Sequence, residues 1–285
     1  MILLDGKKVS EEIQLSLKCR VDSLVEQNIT PGLGVVLVGN REDSMKYVKA
    51  KRKVCRGLGI HFFLKEFNEN VSENELINEI EKMNNDLTIH GILVQLPLPM
   101  NLNKEKILDN VSVTKDVDGF HMINAGKLFL NHEKKHFVPC TPLGCMELID
   151  AYKIDVEGLN ITIIGASDIV GLPLSMMLLQ RGATITICHI RTKDVKQHTK
   201  NADLVVSCCG VPHLVKNDWL KEDVIVIDIG MNMLDGKLVG DVDFLAVKDK
   251  CQYITPVPGG VGPMTIAMLV KQLVESTERF RQLSS

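Results

Sequence analysis

Aromatic side chains are scarce in this 285-residue chain, at 4%, with one tryptophan and three tyrosines, so a site that relies on stacking has few candidates. Charge of one sign is lacking too. A formal net charge of −3 gives no global attraction to nucleic acid or to an anionic membrane, and neither is expected as a partner. No apolar run approaches the length of a membrane span. No charged-then-apolar leader opens the chain at Met1-Ile-Leu-Leu-Asp5-Gly6, and a cytoplasmic protein is expected. The eight cysteines include no C-x-x-C pair, and Cys208 and Cys209 are adjacent, which suits a disulfide framework poorly. They read as small core residues of a reduced protein. Cys188-His189 has no second pair at zinc spacing, so no metal site is expected.

What is present is the make-up of an ordinary globular protein, 45% hydrophobic and 24% charged, long enough for one large domain or two ordinary ones. Residues 8–27 carry a helical stripe of Val9, Ile13, Leu17, Val21 and Leu24. Leu33–Val38 is a buried strand, followed by a helix that Asp43 or Ser44 can cap and that ends near Gly57-Leu-Gly59. A strand at 60–67, a helix announced by the capping box Ser72-Glu-Asn-Glu and a strand at 89–94 follow. This alternation implies a parallel sheet with right-handed crossovers. Residues 109–136 are polar and irregular and read as the crossing between two domains. Alternation then resumes after a helix at about 143–152. Strands are expected at 160–164, 184–188, 204–208 and 224–228, and helices at 171–181 and about 193–200. Pro263 is placed to start a last helix.

The second half is organised around Ile161-Thr-Ile-Ile-Gly165-Ala-Ser-Asp-Ile-Val-Gly171-Leu-Pro173. A β-prone run entering a glycine turn before a helix lets backbone N–H groups approach a phosphate at the positive helix end. The spacing is not G-x-G-x-x-G, so the motif alone divides evenly between a dinucleotide site and a plain βα turn. One strand on, Cys188-His189-Ile190-Arg191-Thr192-Lys193 has no acid before Asp194 to accept from a ribose 2′-hydroxyl, and Arg191 and Lys193 could face a 2′-phosphate. That favours NADP over NAD.

Other residues could carry chemistry. Tyr47 and Lys51 lie four apart on one helical face, and a lysine in low-dielectric surroundings can act as a general base. The opposing reading is a merely basic helix, given Lys46, Lys49, Arg52 and Lys53. Gln95 ends a strand, where open α/β sheets place ligands, or is a solvated terminus. Asp116 and Asp118 before Gly119 are either turn formers or a carboxylate offered to neighbouring N–H donors. Pro258-Gly-Gly-Val-Gly262 has more glycine than a connector needs and can bring backbone close to a ligand.

Taken in order, the motifs are Tyr47-Val-Lys-Ala-Lys51, Val94-Gln95-Leu-Pro97-Leu-Pro99, Lys115-Asp-Val-Asp118-Gly119, Pro139-Cys-Thr-Pro142, Gly165–Pro173, Gly240-Asp-Val-Asp243 and Thr255–Thr265. Together they resemble the methylenetetrahydrofolate dehydrogenase/cyclohydrolase (FolD) family over nearly the whole chain. The resemblance implies an α/β fold of two domains. Residues 1–138, completed by a C-terminal helix at 264–283, would form a parallel α/β folate-binding catalytic domain. Residues 139–263 would form a Rossmann-type NAD(P)-binding domain, with the active site in the cleft between them. The implied reactions are oxidation of 5,10-methylenetetrahydrofolate by NADP⁺, NAD remaining possible, and hydrolysis of the methenyl product to 10-formyltetrahydrofolate. A homodimer is implied as well. A shikimate-dehydrogenase-like enzyme is the nearest rival, and it needs neither Gln95-Leu-Pro-Leu-Pro nor the 258–262 loop.

By the same likeness, Lys51 is the acid/base of the hydrolysis, with Tyr47 against the pterin, Gln95 near Lys51 and Asp118 on the pterin amide edge. Val94, Leu96, Pro258, Gly259, Gly260, Val261 and Gly262 would border the folate. Gly165, Ala166, Ser167, Ile169, Val170, Gly171 and Pro173 would hold the dinucleotide phosphates, and His189, Ile190, Arg191 and Thr192 its ribose end. Thr141, Gly210, Gly230, Met231 and Thr265 would complete that cofactor site. Two positions depart from many relatives. Ala166 stands where arginine is common, and Ile190 where a serine often ligates the 2′-phosphate, a bond isoleucine cannot make.

Overall fold

In the computed structural model, which describes residues 1–132 and 136–284 with side chains to 281, helices and strands alternate. The order is β1 (Ile2–Leu3), α1 (Gly6–Val25), β2 (Gly32–Val38), α2 (Glu42–Leu58), β3 (His61–Phe67), α3 (Glu73–Asn85), β4 (Gly91–Val94), α4 (Lys104–Asp109) and α5 (Met122–Phe129). It continues with α6 (Cys140–Ala151), β5 (Asn160–Ile164), α7 (Gly171–Gln180), β6 (Thr184–Cys188), α8 (Val195–Thr199), β7 (Leu204–Ser207), β8 (Val224–Asp228), β9 (Asn232–Leu234), β10 (Lys237–Val239), α9 (Phe244–Val247), β11 (Cys251–Ile254) and α10 (Val261–Ser284).

The chain divides into two compact units, Met1–Glu11 with Thr141–Thr265, and Glu12–Cys140 with Ile266–Ser285. The second unit holds a three-stranded parallel sheet in the order β3-β2-β4. Its central strand β2 is buried at every position, which is why it reads as an unbroken apolar run. Val36, Val38, Leu76, Ile80, Met83, Ile92, Val94 and Ile107 form the core here. Ser72 caps α3 as its capping box requires, its hydroxyl accepting from Glu75 N at 3.2 Å.

The first unit holds a six-stranded sheet, β1-β11-β8-β7-β5-β6, parallel throughout, and a separate antiparallel pair, β9-β10. The order β6-β5-β7 reverses beside β5, so the turn after β5 lies at a topological switch point, where doubly wound sheets bind ligands. Ile164, Val205, Val215, Leu220, Val224, Val226 and Ile254 lie in its core.

Several expectations need correction. The helix α2 begins at Glu42, so neither Asp43 nor Ser44 caps it; Asp43 instead pairs with Arg41 and accepts from Ser44 N. The stretch 109–136 is not irregular throughout, because α5 spans Met122–Phe129 with Asn124 and Leu128 buried, while Glu133–Lys135 lie outside the described residues. Its short apolar segment was masked by the polar residues on either side. The strands β1, β9, β10 and β11 were too short for a periodic signal. The helix α10 starts two residues before Pro263, which remains in the first turn where its missing N–H costs nothing. No described helix is long and apolar enough to cross a membrane.

Candidate active site

The helix α2 turns one of its lysines inward. Lys46, Lys49 and Lys53 are exposed, whereas Lys51 retains only 7% of its surface and shares the buried face with Ser44, Val48 and Cys55. The solvated-face reading therefore applies to its neighbours and fails for Lys51. Its Nζ donates to Gln95 Oε1 at 2.9 Å. The orientation of that amide is determined by its other end, since Gln95 Nε2 donates to the Leu96 carbonyl at 2.7 Å and leaves Oε1 for the lysine. Gln95 is carried to this place by β4, whose N–H ladder continues one residue past the strand to the Val36 carbonyl. The Leu96–Pro97 bond that follows is cis.

Asp118 faces the same group. Cys140 lies beside its carboxylate, with the Cys140 thiol donating to the Val117 carbonyl at 3.3 Å. Burial pushes the Lys51 ammonium down from its ordinary range, opposed by the negative charge of Asp118. Burial likewise pushes Asp118 up, opposed by Lys51 and by Cys140. The result is an amine able to release its proton within reach of a carboxylate, the arrangement general base catalysis needs. Tyr47, one turn before Lys51, is half-buried, and desolvation raises its phenol pKa. Val94 is buried at the end of β4, and Leu96 is half-buried beside Gln95.

Two supporting residues, Gln272 and Cys140, were not among the expected site residues, and Asp116 has the turn-forming role weighed for it. Gln272 on α10 is 4% exposed and donates from Nε2 to the Val117 and Val138 carbonyls, both at 2.9 Å, while its Oε1 accepts from Val138 N at 3.0 Å. It thus ties the turn before Asp118 to the segment before Cys140. A polar residue on the otherwise apolar stripe of Met268, Leu269 and Leu273 was the signal that could have revealed it. Cys140 stands inside the Pro-Cys-Thr-Pro motif. Asp116 is buried and accepts from Phe120 N at 3.2 Å, His121 N at 2.9 Å and Asn124 Nδ2 at 2.8 Å, shaping the turn that carries Asp118.

In the other unit, the turn after β5 is a tight glycine turn leading into a helix N-terminus. Ser167 Oγ accepts from Val170 N at 3.2 Å and the Ser167 carbonyl from Leu172 N at 3.0 Å, closing the chain over Ala166–Ile169 at the start of α7. A Cβ on Gly171 would lie 2.0 Å from the Gly165 carbonyl oxygen, so only glycine lets the helix begin this close to the strand end. Pro173 is buried in the first turn of α7, where no donor is required of it. These groups and the positive end of a ten-residue helix fit a dinucleotide pyrophosphate.

At the end of β6, His189 Nδ1 accepts from Arg191 N, and His189 N donates to Thr192 Oγ1, each at 3.0 Å. Ile190 and Arg191 at the tip of this turn are exposed. Asp194, the nearest acid, caps α8 by accepting from Gln197 N at 3.1 Å. No carboxylate on 189–193 is therefore available for a ribose hydroxyl. Gly210 follows β7 with φ 69°, Gly230 follows β8 and is buried, and Met231 beside it is 44% exposed. The Thr141 and Thr265 hydroxyls lie 3.0 Å apart. Within this unit the 258–262 loop, entered through a cis Val257–Pro258 bond, is held by Lys7 N, which donates to the Gly259 carbonyl at 2.9 Å. Val261 is buried, and Gly262 lies in the first turn of α10. All eight cysteines are free, and the described residues contain no cluster of three potential metal ligands.

The family model for the tetrahydrofolate dehydrogenase/cyclohydrolase catalytic domain matches residues 4–118, and that for the NAD(P)-binding domain of the same family matches 139–281. The bifunctional protein FolD of Nautilia profundicola is 51% identical over 281 residues, 98% of each chain. The crystal structure of the Campylobacter jejuni FolD dehydrogenase/cyclohydrolase is 51% identical, covers 98% of this chain and 99% of its own, and superposes with a TM-score of 0.96. The Trypanosoma brucei enzyme, solved with an NADP cofactor and an inhibitor, is 35% identical with 98% coverage of both chains and a TM-score of 0.94. The chain belongs to the tetrahydrofolate dehydrogenase/cyclohydrolase family, enzymes of one-carbon folate metabolism that oxidise methylenetetrahydrofolate and hydrolyse the methenyl product.

Proposed function

We propose that Lys51 is the acid/base of the hydrolytic step, that Tyr47, Gln95 and Asp118 act with it on the folate, and that NADP⁺ is the preferred oxidant. The observation that carries this reading is the buried Lys51 amine bound to an orientation-locked Gln95 and facing Asp118. The methenyl bridge is an amidinium cation, already electrophilic, so hydrolysis needs a proton removed from water rather than a nucleophile on the protein. The cation itself disfavours a charged lysine nearby, and Lys51 in neutral form accepts the proton from the attacking water. The ammonium so formed then returns that proton to the departing ring nitrogen as its bond to the bridging carbon breaks, and the remaining hydroxyl proton passes to solvent as the formyl C=O forms, giving the 10-formyl product. Gln95 keeps the amine aimed through this cycle, since its Oε1 accepts from either protonation state. Asp118 accepts from the amide edge of the pterin and steadies the lysine charge between the two transfers.

When bound, NADP⁺ takes the hydride from the methylene bridge. The chain's part in that step is alignment. Gly165–Pro173 with Thr141, Gly210, Gly230, Met231 and Thr265 hold the dinucleotide, Val94, Leu96 and Pro258–Gly262 border the folate, and His189–Thr192 receive the ribose end. The absence of a free acid at the end of β6 and the presence of Arg191 favour a 2′-phosphate, and the NADP bound in the trypanosomal relative agrees. Domain boundaries at 138 and 263, a cytoplasmic location and a homodimer follow from family likeness. Light scattering of the purified protein checks the dimer.

Assaying Lys51→Met for both activities tests the catalytic reading. Hydrolysis is expected to fall by about a hundredfold or more, and a near-wild-type rate overturns the role given to Lys51. Comparing kcat/KM for NADP⁺ and NAD⁺ tests the cofactor reading, with equal values overturning it.

A further inference from the structure

Two buried carboxylates stand at the carboxyl edge of the six-stranded sheet, and the mechanism above uses neither. Asp228 ends β8, and Asp241 follows β10; they are 3% and 0% exposed. Each is surrounded by donors from different loops. Asp241 Oδ2 accepts from Cys209 N at 2.8 Å, Ser207 Oγ at 3.1 Å, Gly210 N at 3.2 Å and the Cys209 thiol at 3.4 Å. Its Oδ1 accepts from Asn232 Nδ2 at 2.9 Å. Asp228 Oδ1 accepts from Gly230 N at 2.9 Å and Asp241 N at 3.0 Å, and its Oδ2 from Val242 N at 2.9 Å. Behind it, Asp228 N donates to Thr255 Oγ1 at 2.7 Å, which reaches the start of the Thr255–Gly260 loop.

These bonds form a chain of dependence. Asp228 holds the 241–242 backbone in place, and that backbone presents the Asp241 carboxylate to the loops after β7 and β8. A Cβ on Gly240 would lie 1.8 Å from Asp228 Oδ2, so the return strand approaches as closely as the backbone permits. Buried carboxylates cost desolvation, and a fold needing only to connect strands could use apolar residues here. Charge-assisted bonds to backbone N–H groups give fixed directions that packing alone does not.

We propose that Asp241, seated by Asp228, is a positioning residue for the dinucleotide: it sets the separation of the 208–210 and 230–232 loops and so determines how tightly the cofactor is held. The inference rests on the proposed placement of Gly210, Gly230 and Met231 in the cofactor site. Neither aspartate touches the dinucleotide in this arrangement; both act through the loops.

The test is titration of the full-length protein with NADP⁺, followed by fluorescence, beside assays of both activities. Asp241→Asn turns an amide NH₂ or a weaker acceptor toward the Cys209 and Gly210 N–H groups. Asn232→Ala removes one donor only and guards against a variant that does not fold. Leu220→Ala, in the core of the same unit, is the control for lost stability. Both Asp241→Asn and Asn232→Ala are expected to weaken NADP⁺ binding, the former by about tenfold or more. The dinucleotide KM should rise in step, with the hydrolytic kcat changed far less than the dinucleotide KM, and Leu220→Ala should lower the melting temperature without raising that KM. Unchanged NADP⁺ affinity in soluble Asp241→Asn or Asn232→Ala overturns the proposal, as does an equal KM rise in the Leu220→Ala control. Failure of the wild-type protein to bind either dinucleotide overturns instead the cofactor reading on which it rests.

Discussion

The proposed role of Lys51 as a base rests on where its side chain ends, and two pH dependences follow at the residue scale. Burial lowers the Lys51 pKa from 10.5, and the neutral amine is the active form in the proposed mechanism. The hydrolytic kcat, corrected for the uncatalysed reaction, should therefore rise with pH and level off below 10.5; a rate still climbing there contradicts the assignment. Asp116 shows the opposite case. Burial raises its carboxyl from 3.8 to about 7. A raised folded-state pKa stabilises the protonated form, a contribution fully present below 3.8 and lost as pH passes through about 7. Between pH 5 and 8 the wild type should thus lose stability that Asp116→Asn, neutral at every pH, retains, a difference across that range of about 1 kcal/mol or more. Urea midpoints across that range check the sign.

At the scale of elements, the geometry of two helices carries the function. The start of α7 depends on Gly171, since a Cβ there would meet backbone that cannot yield. Gly171→Ala should open the 165–171 turn and weaken NADP⁺ binding, measured by titration, more than it affects hydrolysis. The helix α10 contributes Gln272, whose three backbone hydrogen bonds hold the segments around Asp118 and Cys140. Gln272→Leu leaves those buried groups unpaired, a loss of about 2–3 kcal/mol. Chemical denaturation measures that loss, and the hydrolytic kcat should fall with it as Asp118 loses its placement. In both cases an expected element was found; the consequence of Gly171 lies in a contact within its own turn, with residue 165, whereas that of Gln272 lies in a contact distant in sequence, with residue 117.

For the molecule as a whole, ligand binding and folding are linked. A dinucleotide at about one hundred times its Kd stabilises the native state by roughly 2.7 kcal/mol. Thermal unfolding should shift upward with NADP⁺ in the wild type and equally in Lys51→Met, whose change lies in the other unit from the dinucleotide turn. A Lys51→Met protein without that shift would show that the substitution disturbs more than the folate chemistry. Local regularities made the alternation of strands and helices, the Ser72 cap, the glycine turn after β5 and the family motifs legible in the residues alone, because each depends on neighbours within about one helical turn or one strand. Composition alone left Lys51 no different from Lys49 or Lys53, since a basic helix looks alike on every face until packing buries one, and it was the family motif that singled Lys51 out. Nor could the sequence reveal α5 within a polar stretch or the strands of two to four residues, which owe their form to partners across a sheet. The roles of Asp228, Asp241 and Gln272 were hidden for the same reason. A buried polar residue is defined by the donors and acceptors that meet it, and here those come from segments up to 155 residues away. The amino-acid order by itself determined the architecture, the chemistry class and the glycine turn proposed to receive a phosphate. Only the tertiary structure decided which lysine is desolvated and which carboxylates are structural, because desolvation and hydrogen-bond satisfaction exist only once the chain has closed around a group.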